Sequence, residues 1–340
     1  MWPLSPLQSG LYFHGVLSEG GVDVYQMQTV LELGGVVRLE DLRAACGGVL
    51  ARHAGLRVGF VQVSSGRVVQ VVPRRVEVPW EVVDLSGVPE GERGGAVDRF
   101  LERDQERRFV LSEAPLVRFA VLRLSERRHV FVMTAHHVIL DGWSLPLVLR
   151  DIFALYGSRG ALPRAAQYGD FLGWLEGQDR GAAERAWREA LEGVEGPTLV
   201  APGVGEGEGG LPERVVVCLP REVTGDLAAM ARGRGLTLNS VVQGAWALLL
   251  AGMTGRGDVV FGATVSGRPP ELAGVEEIVG LLINTVPVRV RLDPAEPLAG
   301  LLERIQREQS ALAPHQYLGL SDIHRLAGHP QLFDTTTVFE

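Results

Sequence analysis

The sequence predicts a mixed α/β (α+β) protein built from two domains, and three observations lead there. The chain has 340 residues, too long for one comfortable core when a domain averages ~150 residues. Segments with strand-like alternation and segments with helical spacing succeed one another in both halves. Residues 193–210, GVEGPTLVAPGVGEGEGG, are too rich in Gly and Pro to belong to a packed element. The expected layout is therefore a first domain at 1–192, a linker at 193–212 and a second domain at 213–340.

The elements follow in chain order. Residues 5–17 carry apolar side chains at helical spacing, and 25–33 (YQMQTVLEL) alternate like a half-buried strand. A helix is expected at 38–53, then two short strands at 56–63 and 67–72 around the Ser64-Ser65-Gly66 turn. Residues 92–108 form a charged amphipathic pattern. The β-rich runs 116–124 and 129–135, joined by a polar stretch, predict a hairpin. Helices are expected at 143–156 and 168–191. Beyond the linker come a strand at 214–219, helices at 222–232 and 238–250, strands at 258–264 and 284–291, a helix at 298–312 and a last strand at 332–340.

Composition removes several function classes. Apolar residues are 46% and charged residues 22%, as in globular proteins, and no apolar run approaches the ~20 residues of a membrane span. The charge of 33 − 41 = −8 gives no broad basic surface for nucleic acid. Cys46 and Cys218 are the only cysteines and no secretion signal opens the chain, which reads as a reduced, cytoplasmic protein. All 33 basic residues are Arg. Without Lys there is neither the phosphate-binding lysine of a P-loop nor the Schiff-base lysine of a pyridoxal enzyme.

The densest group of reactive residues is MTAHHVILDGWS at 133–144, where the second strand of the hairpin ends. Adjacent strand residues point to opposite faces, so one of His136 and His137 can face a cleft while the other packs behind it. Asp141 and Gly142 can turn the chain into the next helix, with Ser144 as a cap and Pro146 in its first turn. A neutral imidazole at a cleft can take a proton from an attacking amine or hydroxyl. A metal site is the other chemical option, but this spacing is not that of HExxH.

These residues form an HHxxxDG string, and with it the chain resembles the condensation domains of nonribosomal peptide synthetases, relatives in fold of chloramphenicol acetyltransferase. SPLQSGLYFH at 5–14 is similar to that family's opening motif, and RHAGLRVGF at 52–60 to its RHxxLRxxF. Tyr168, Asp170, Phe171 and Trp174 match its YxDYxxW helix. VGLLINTVPVR at 279–289, His315-Gln316 and LFDTTTVFE resemble later segments.

The resemblance implies two acetyltransferase-like lobes in a V, with a tunnel between them and a C-terminal lobe that is truncated at residue 340. It implies a donor acyl or peptidyl thioester and an acceptor aminoacyl thioester, carried on the phosphopantetheine arms of upstream and downstream carrier proteins, with an adenylation domain as neighbour. No bound cofactor, metal, nucleic acid or membrane is implied. His137 would be the catalytic histidine and His136 structural. Asp141 would pair with an arginine of the other lobe, the matching position being Arg268 with Arg289 the alternative.

Trp143 and Trp174 read better as core than as binding platforms. Gly142 reads either as room for a thin pantetheine arm or as a plain turn glycine. Trp143, Ser144, Asn284 and Arg289 stand as tunnel or structural candidates. The competing functions are an epimerization domain of the same fold, an acyltransferase using coenzyme A, and a non-catalytic member that recruits a partner enzyme.

Overall fold

The computed structural model describes residues 1–17, 23–157, 162–203 and 213–339. They pack as two compact units, Met1–Gln178 with Arg268–Leu282, and Asp179–Gly267 with Ile283–Glu340. In the first unit the elements run α1 (Pro6–Leu17), β1 (Gln26–Gly34), α2 (Leu39–Arg52), β2 (Gly59–Gln62), β3 (Val68–Val71), β4 (Trp80–Asp84), α3 (Glu90–Glu106), β5 (Val117–Ser125), β6 (Arg128–His136), α4 (Ser144–Gly157) and α5 (Tyr168–Glu176). The second unit has α6 (Arg180–Ala190), α7 (Arg221–Gly233), α8 (Leu238–Thr254), β7 (Asp258–Val265), β8 (Asn284–Arg291), α9 (Leu298–Leu312), α10 (Leu320–Ala327) and β9 (Thr336–Thr337).

The first unit is organised by a sheet of order β1-β6-β5-β4, with β6 antiparallel to both neighbours and β4 parallel to β5. β6 is central, and every residue from His129 to His136 is buried, which explains its nearly unbroken apolar sequence. β1 lies at the edge and alternates. α2 buries Leu42, Ala45, Cys46, Val49 and Leu50, a stripe at helical spacing that packs beside α4. Burial pushes the Cys46 thiol up to about 12, so this cysteine is a packing residue and not a nucleophile.

The second unit has a sheet of order β8-β7-β9. Val259, Phe261 and Val288 pack with Ala247 and Leu250 of α8 and Leu301 and Ile305 of α9. Trp187 of α6 packs with Val260, Val286 and Ile323.

Several expectations are corrected. The helix expected at 168–191 is two helices, because Asp179 caps a new one by accepting from the Ala182 N–H at 2.9 Å. The packing changes owner at this break and not at the Gly/Pro-rich stretch, since α6 packs with the second unit and 268–282 with the first. Residues 204–212 of that stretch lie outside the described residues.

The strand expected at 214–219 is in no ladder among the described residues, and Val215 and Val217 are 80% and 79% exposed. A β-branched run favours extended backbone, while a strand also requires a neighbour. In the last expected strand Thr336–Thr337 pairs with β7 and Phe333 makes a single parallel bridge with Thr198, and residue 340 is not described. The start of the strand expected at 56–63 is a 3₁₀ turn at Ala54–Arg57. β4 and α10 have no counterpart in the sequence reading. Among the described residues no single helix is long and apolar enough to cross a membrane.

Candidate functional site

The site begins where β6 stops. His136, its last residue, faces Gln26 of β1 in the sheet register, and its N–H donates to the Leu116 carbonyl at 3.0 Å. The chain then tightens into a 3₁₀ turn, His137–Ile139, held on β1's side by the His137 N–H on the Tyr25 carbonyl at 2.7 Å. Gln8 of α1 closes it from outside, donating through Nε2 to the Val138 carbonyl at 3.0 Å.

The two histidines separate in environment. His136 is fully buried. Its Nδ1 accepts the Val138 N–H at 3.0 Å, which leaves the proton on Nε2, 3.4 Å from Asp23 Oδ2. Burial raises the Asp23 pKa, but the neighbouring His136 ring and the hydrogen bond from the Tyr25 N–H outweigh it and hold the carboxyl below its usual range. His136 is thus a wedge between the turn and an ionised carboxylate.

His136→Ala should lower stability by about 2–3 kcal/mol, because a buried N–H and a carboxylate lose their partner. Urea unfolding checks this. A midpoint equal to that of the wild type together with lost activity would put the two histidines in each other's roles.

His137 keeps part of its surface accessible while its Nδ1 is buried. Burial pulls its pKa below the ordinary histidine value of 6.5, opposed by its own backbone and by Asp141. The ring is therefore neutral at pH 7 and able to accept a proton.

Asp141 is fully buried and organises the rest of the loop. Oδ1 accepts the Ser144 N–H at 2.8 Å and Oδ2 the Leu282 N–H at 2.9 Å. Arg268 Nη2 lies 3.2 Å from Oδ1 and 3.1 Å from Ser144 Oγ, and its Nη1 donates to the carbonyls of Val275 and Ile278. Ser144 Oγ in turn donates to the Gly280 carbonyl at 2.9 Å and accepts the Gly280 N–H at 3.1 Å. The histidine loop and the 268–282 segment are thereby clasped over residues far apart in sequence. Tyr168 lies beneath the clasp: a Cβ on Gly280 would sit 2.2 Å from its ring, and its hydroxyl donates to the Leu281 carbonyl at 2.8 Å.

The structure thus brings His136, His137, Asp141, Gly142, Trp143, Ser144 and Arg268 together in the first unit. Arg268 pairs with Asp141, but from a segment that packs with the histidine loop's own unit and not from a separate lobe. Arg289 pairs with Asp258 at 2.6 Å, and Asn284 donates to the carbonyls of Gln316 and Leu318, all within the second unit.

Trp143 is 52% exposed and not core. Its ring lies 5.5 Å from the Arg268 guanidinium and its Nε1 donates to the Glu276 carbonyl. Gly142 is exposed and is absent from the glycines with positive φ, so no backbone strain requires glycine there. His136 turned to Asp23 and Asp141 turned to Arg268 leave no convergent ligand set. Among the described residues no group of three or more His, Cys, Asp or Glu could hold a metal.

Gln8, Asp23, Tyr168 and Gly280 were not singled out for the site by sequence reasoning. Gln8, Tyr168 and Gly280 carried a signal, since all three belong to the motif strings at 5–14, 168–174 and 279–289.

The chain as a whole is similar to known proteins. The Condensation domain family matches residues 1–340. A component of the linear gramicidin synthase of Brevibacillus parabrevis is 38% identical over 353 residues, covering 100% of this chain and 4% of that protein. Surfactin synthase subunit 3 of Bacillus subtilis is 34% identical, covering 100% of this chain and 27% of that protein. The chain therefore spans only a small part of these relatives. Among solved structures, the first condensation domain of the calcium-dependent antibiotic synthetase, in complex with a substrate analogue, matches with a TM-score of 0.78 at 23% identity, over 99% of this chain and 80% of that one. The starter condensation domain of rhizomide synthetase, in complex with C8-CoA, matches with a TM-score of 0.80 at 22% identity, over 99% of this chain and 78% of that one. At such identities these two show a common fold.

Proposed function

Because the chain belongs to the condensation-domain family, we propose that it joins a donor acyl or peptidyl thioester to the amine of an acceptor aminoacyl thioester, forming a peptide bond in nonribosomal peptide synthesis. Both substrates would ride on phosphopantetheine arms of carrier proteins, with an adenylation domain as neighbour, in the cytoplasm. The observation that carries this reading is His137, neutral and partly accessible in the turn that ends a buried strand.

In this reading the acceptor amine adds to the donor thioester carbonyl, and collapse of the tetrahedral adduct breaks the C–S bond. The donor arm leaves as thiolate, and the nitrogen sheds a proton, which the neutral His137 ring can accept or orient. Asp141 and Arg268 do not touch the reacting atoms. They hold the loop so that the ring need not reorganise when substrate arrives.

The deciding experiment mixes the protein with two loaded carrier proteins and reads each carrier by intact-protein mass spectrometry. Dipeptide on the acceptor carrier supports the proposal. Inversion of a single carrier-bound residue would instead indicate epimerization. Transfer only from a coenzyme A thioester would indicate a free-standing acyltransferase, and binding without turnover a recruiting role.

Gly142 supplies a separate test of how the acceptor arm enters. Gly142→Leu should stay within about 0.5 kcal/mol of wild-type stability, since the position is exposed and unstrained. It should still lower condensation by about 10²-fold if the arm passes there, because a displacement near 1 Å already costs that much. A variant as active as the wild type would remove the arm from this side of the motif.

A further inference from the structure

Arg52 and His53 open the RHAGLRVGF string and lie against a buried carboxylate rather than a reacting group. Asp151, on α4, is 3% exposed. Its Oδ2 accepts from His53 Nε2 at 2.9 Å and from Arg52 Nε at 2.7 Å, while Oδ1 accepts from Arg150 Nε and Nη2 at 3.1 Å. Arg150 then forks onto Glu277, with Nη1 3.2 Å from Oε1 and Nη2 2.7 Å from Oε2. Glu277 belongs to the 268–282 segment that clasps Asp141.

We propose that Asp151 is a positioning residue of the condensation site: the charge cluster centred on it fixes the direction in which the 268–282 segment crosses α4, and so sets the clasp on the histidine loop. The proposal rests on the condensation reading above.

Geometry supplies the argument. The segment touches α4 at Ser144, through Gly280, and again at Arg150, through Glu277. At 1.5 Å per residue these points are about 9 Å apart along the helix axis. A segment held at one point can pivot, and two points fix its direction.

The turn carrying His53 completes the arrangement. A Cβ on Gly55 would lie 3.1 Å from the Val279 carbonyl and 3.3 Å from Tyr168 Cβ, so the turn directly borders the residues before Gly280. Charge is balanced as well: two carboxylates, Asp151 and Glu277, face two guanidiniums, Arg52 and Arg150. Burial holds the His53 pKa below its ordinary value, so the ring enters as a neutral donor. Burial would raise the Asp151 pKa, but His53, Arg52 and Arg150 outweigh it and keep the carboxylate ionised.

A purely stabilising role predicts different behaviour, which hydrogen exchange separates. The Gly280 and Leu282 amides donate to Ser144 Oγ and Asp141 Oδ2, so they report on the clasp itself. In Asp151→Asn these two amides should exchange about tenfold faster while those of β5 and β6 keep their wild-type rates. The turnover number should fall about tenfold with KM for both carriers unchanged, as for lost positioning rather than lost binding.

Glu277→Gln guards against a buried substitution that fails to fold. Its pair with Arg150 is half exposed and contributes little to stability, yet both amides should still exchange about threefold faster. Wild-type exchange at Gly280 and Leu282 in Glu277→Gln would overturn the proposal, as would exchange accelerated throughout the unit in Asp151→Asn. A wild-type protein that makes no dipeptide would overturn the condensation reading instead, and the exchange rates would still decide whether the cluster sets the clasp.

Discussion

His137→Ala is expected to lower the rate of dipeptide formation by about 10²–10⁴-fold, the usual contribution of a positioned acid–base group. The melting temperature should hardly move, because the side chain is partly accessible and Asp141, not His137, carries the contacts that close the loop. The pH profile adds an independent reading. Burial depresses the His137 pKa, so its base form persists as pH falls below the ordinary value of 6.5. Activity should therefore be lost only as pH drops through the lowered value, placing the acid limb of the rate profile below 6.5. A variant near wild-type turnover, or an acid limb well above that value, would remove His137 from the chemistry.

The second large effect concerns the clasp. Asp141→Ala and Arg268→Ala should each destabilise by about 3–5 kcal/mol, because each leaves a buried charge without its counterpart. Asp141→Ala should be the more severe, since it also strips the acceptor from the Ser144 and Leu282 N–H groups. The double variant should lose clearly less than the sum, its second change removing a charge already unpaired. Denaturant unfolding of the three variants measures the coupling. Strict additivity would mean that the pair contributes no mutual stabilisation.

Much of the fold was legible because it rests on local pattern. The β5–β6 hairpin, the stripe of α2 and the helices α8 and α9 follow from periodicity that a chain segment carries by itself. The misreadings share one cause. α5 and α6 looked continuous because both halves have helical spacing, and only the Asp179 cap and the different cores they serve divide them. The 214–219 run has strand propensity without a neighbour among the described residues, and β4 became a strand by lying parallel to β5. Pairing is a property of two segments, so one segment's letters cannot state it.

The same division runs through the site. The letters of residues 136–144 by themselves determined that two histidines stand where a strand ends and that an acidic turn follows, because strand patterning and turn chemistry act over a few residues. They could not decide between Arg268 and Arg289 as the partner of Asp141, nor reveal that Trp143 lies on the surface or that Asp23 stands behind His136. Arg268 reaches Asp141 across 127 positions, by way of a segment that leaves the second unit's sequence to pack with the first. A buried carboxylate requires a donor wherever packing can deliver one, and that delivery depends on long-range contacts whose register no local pattern encodes.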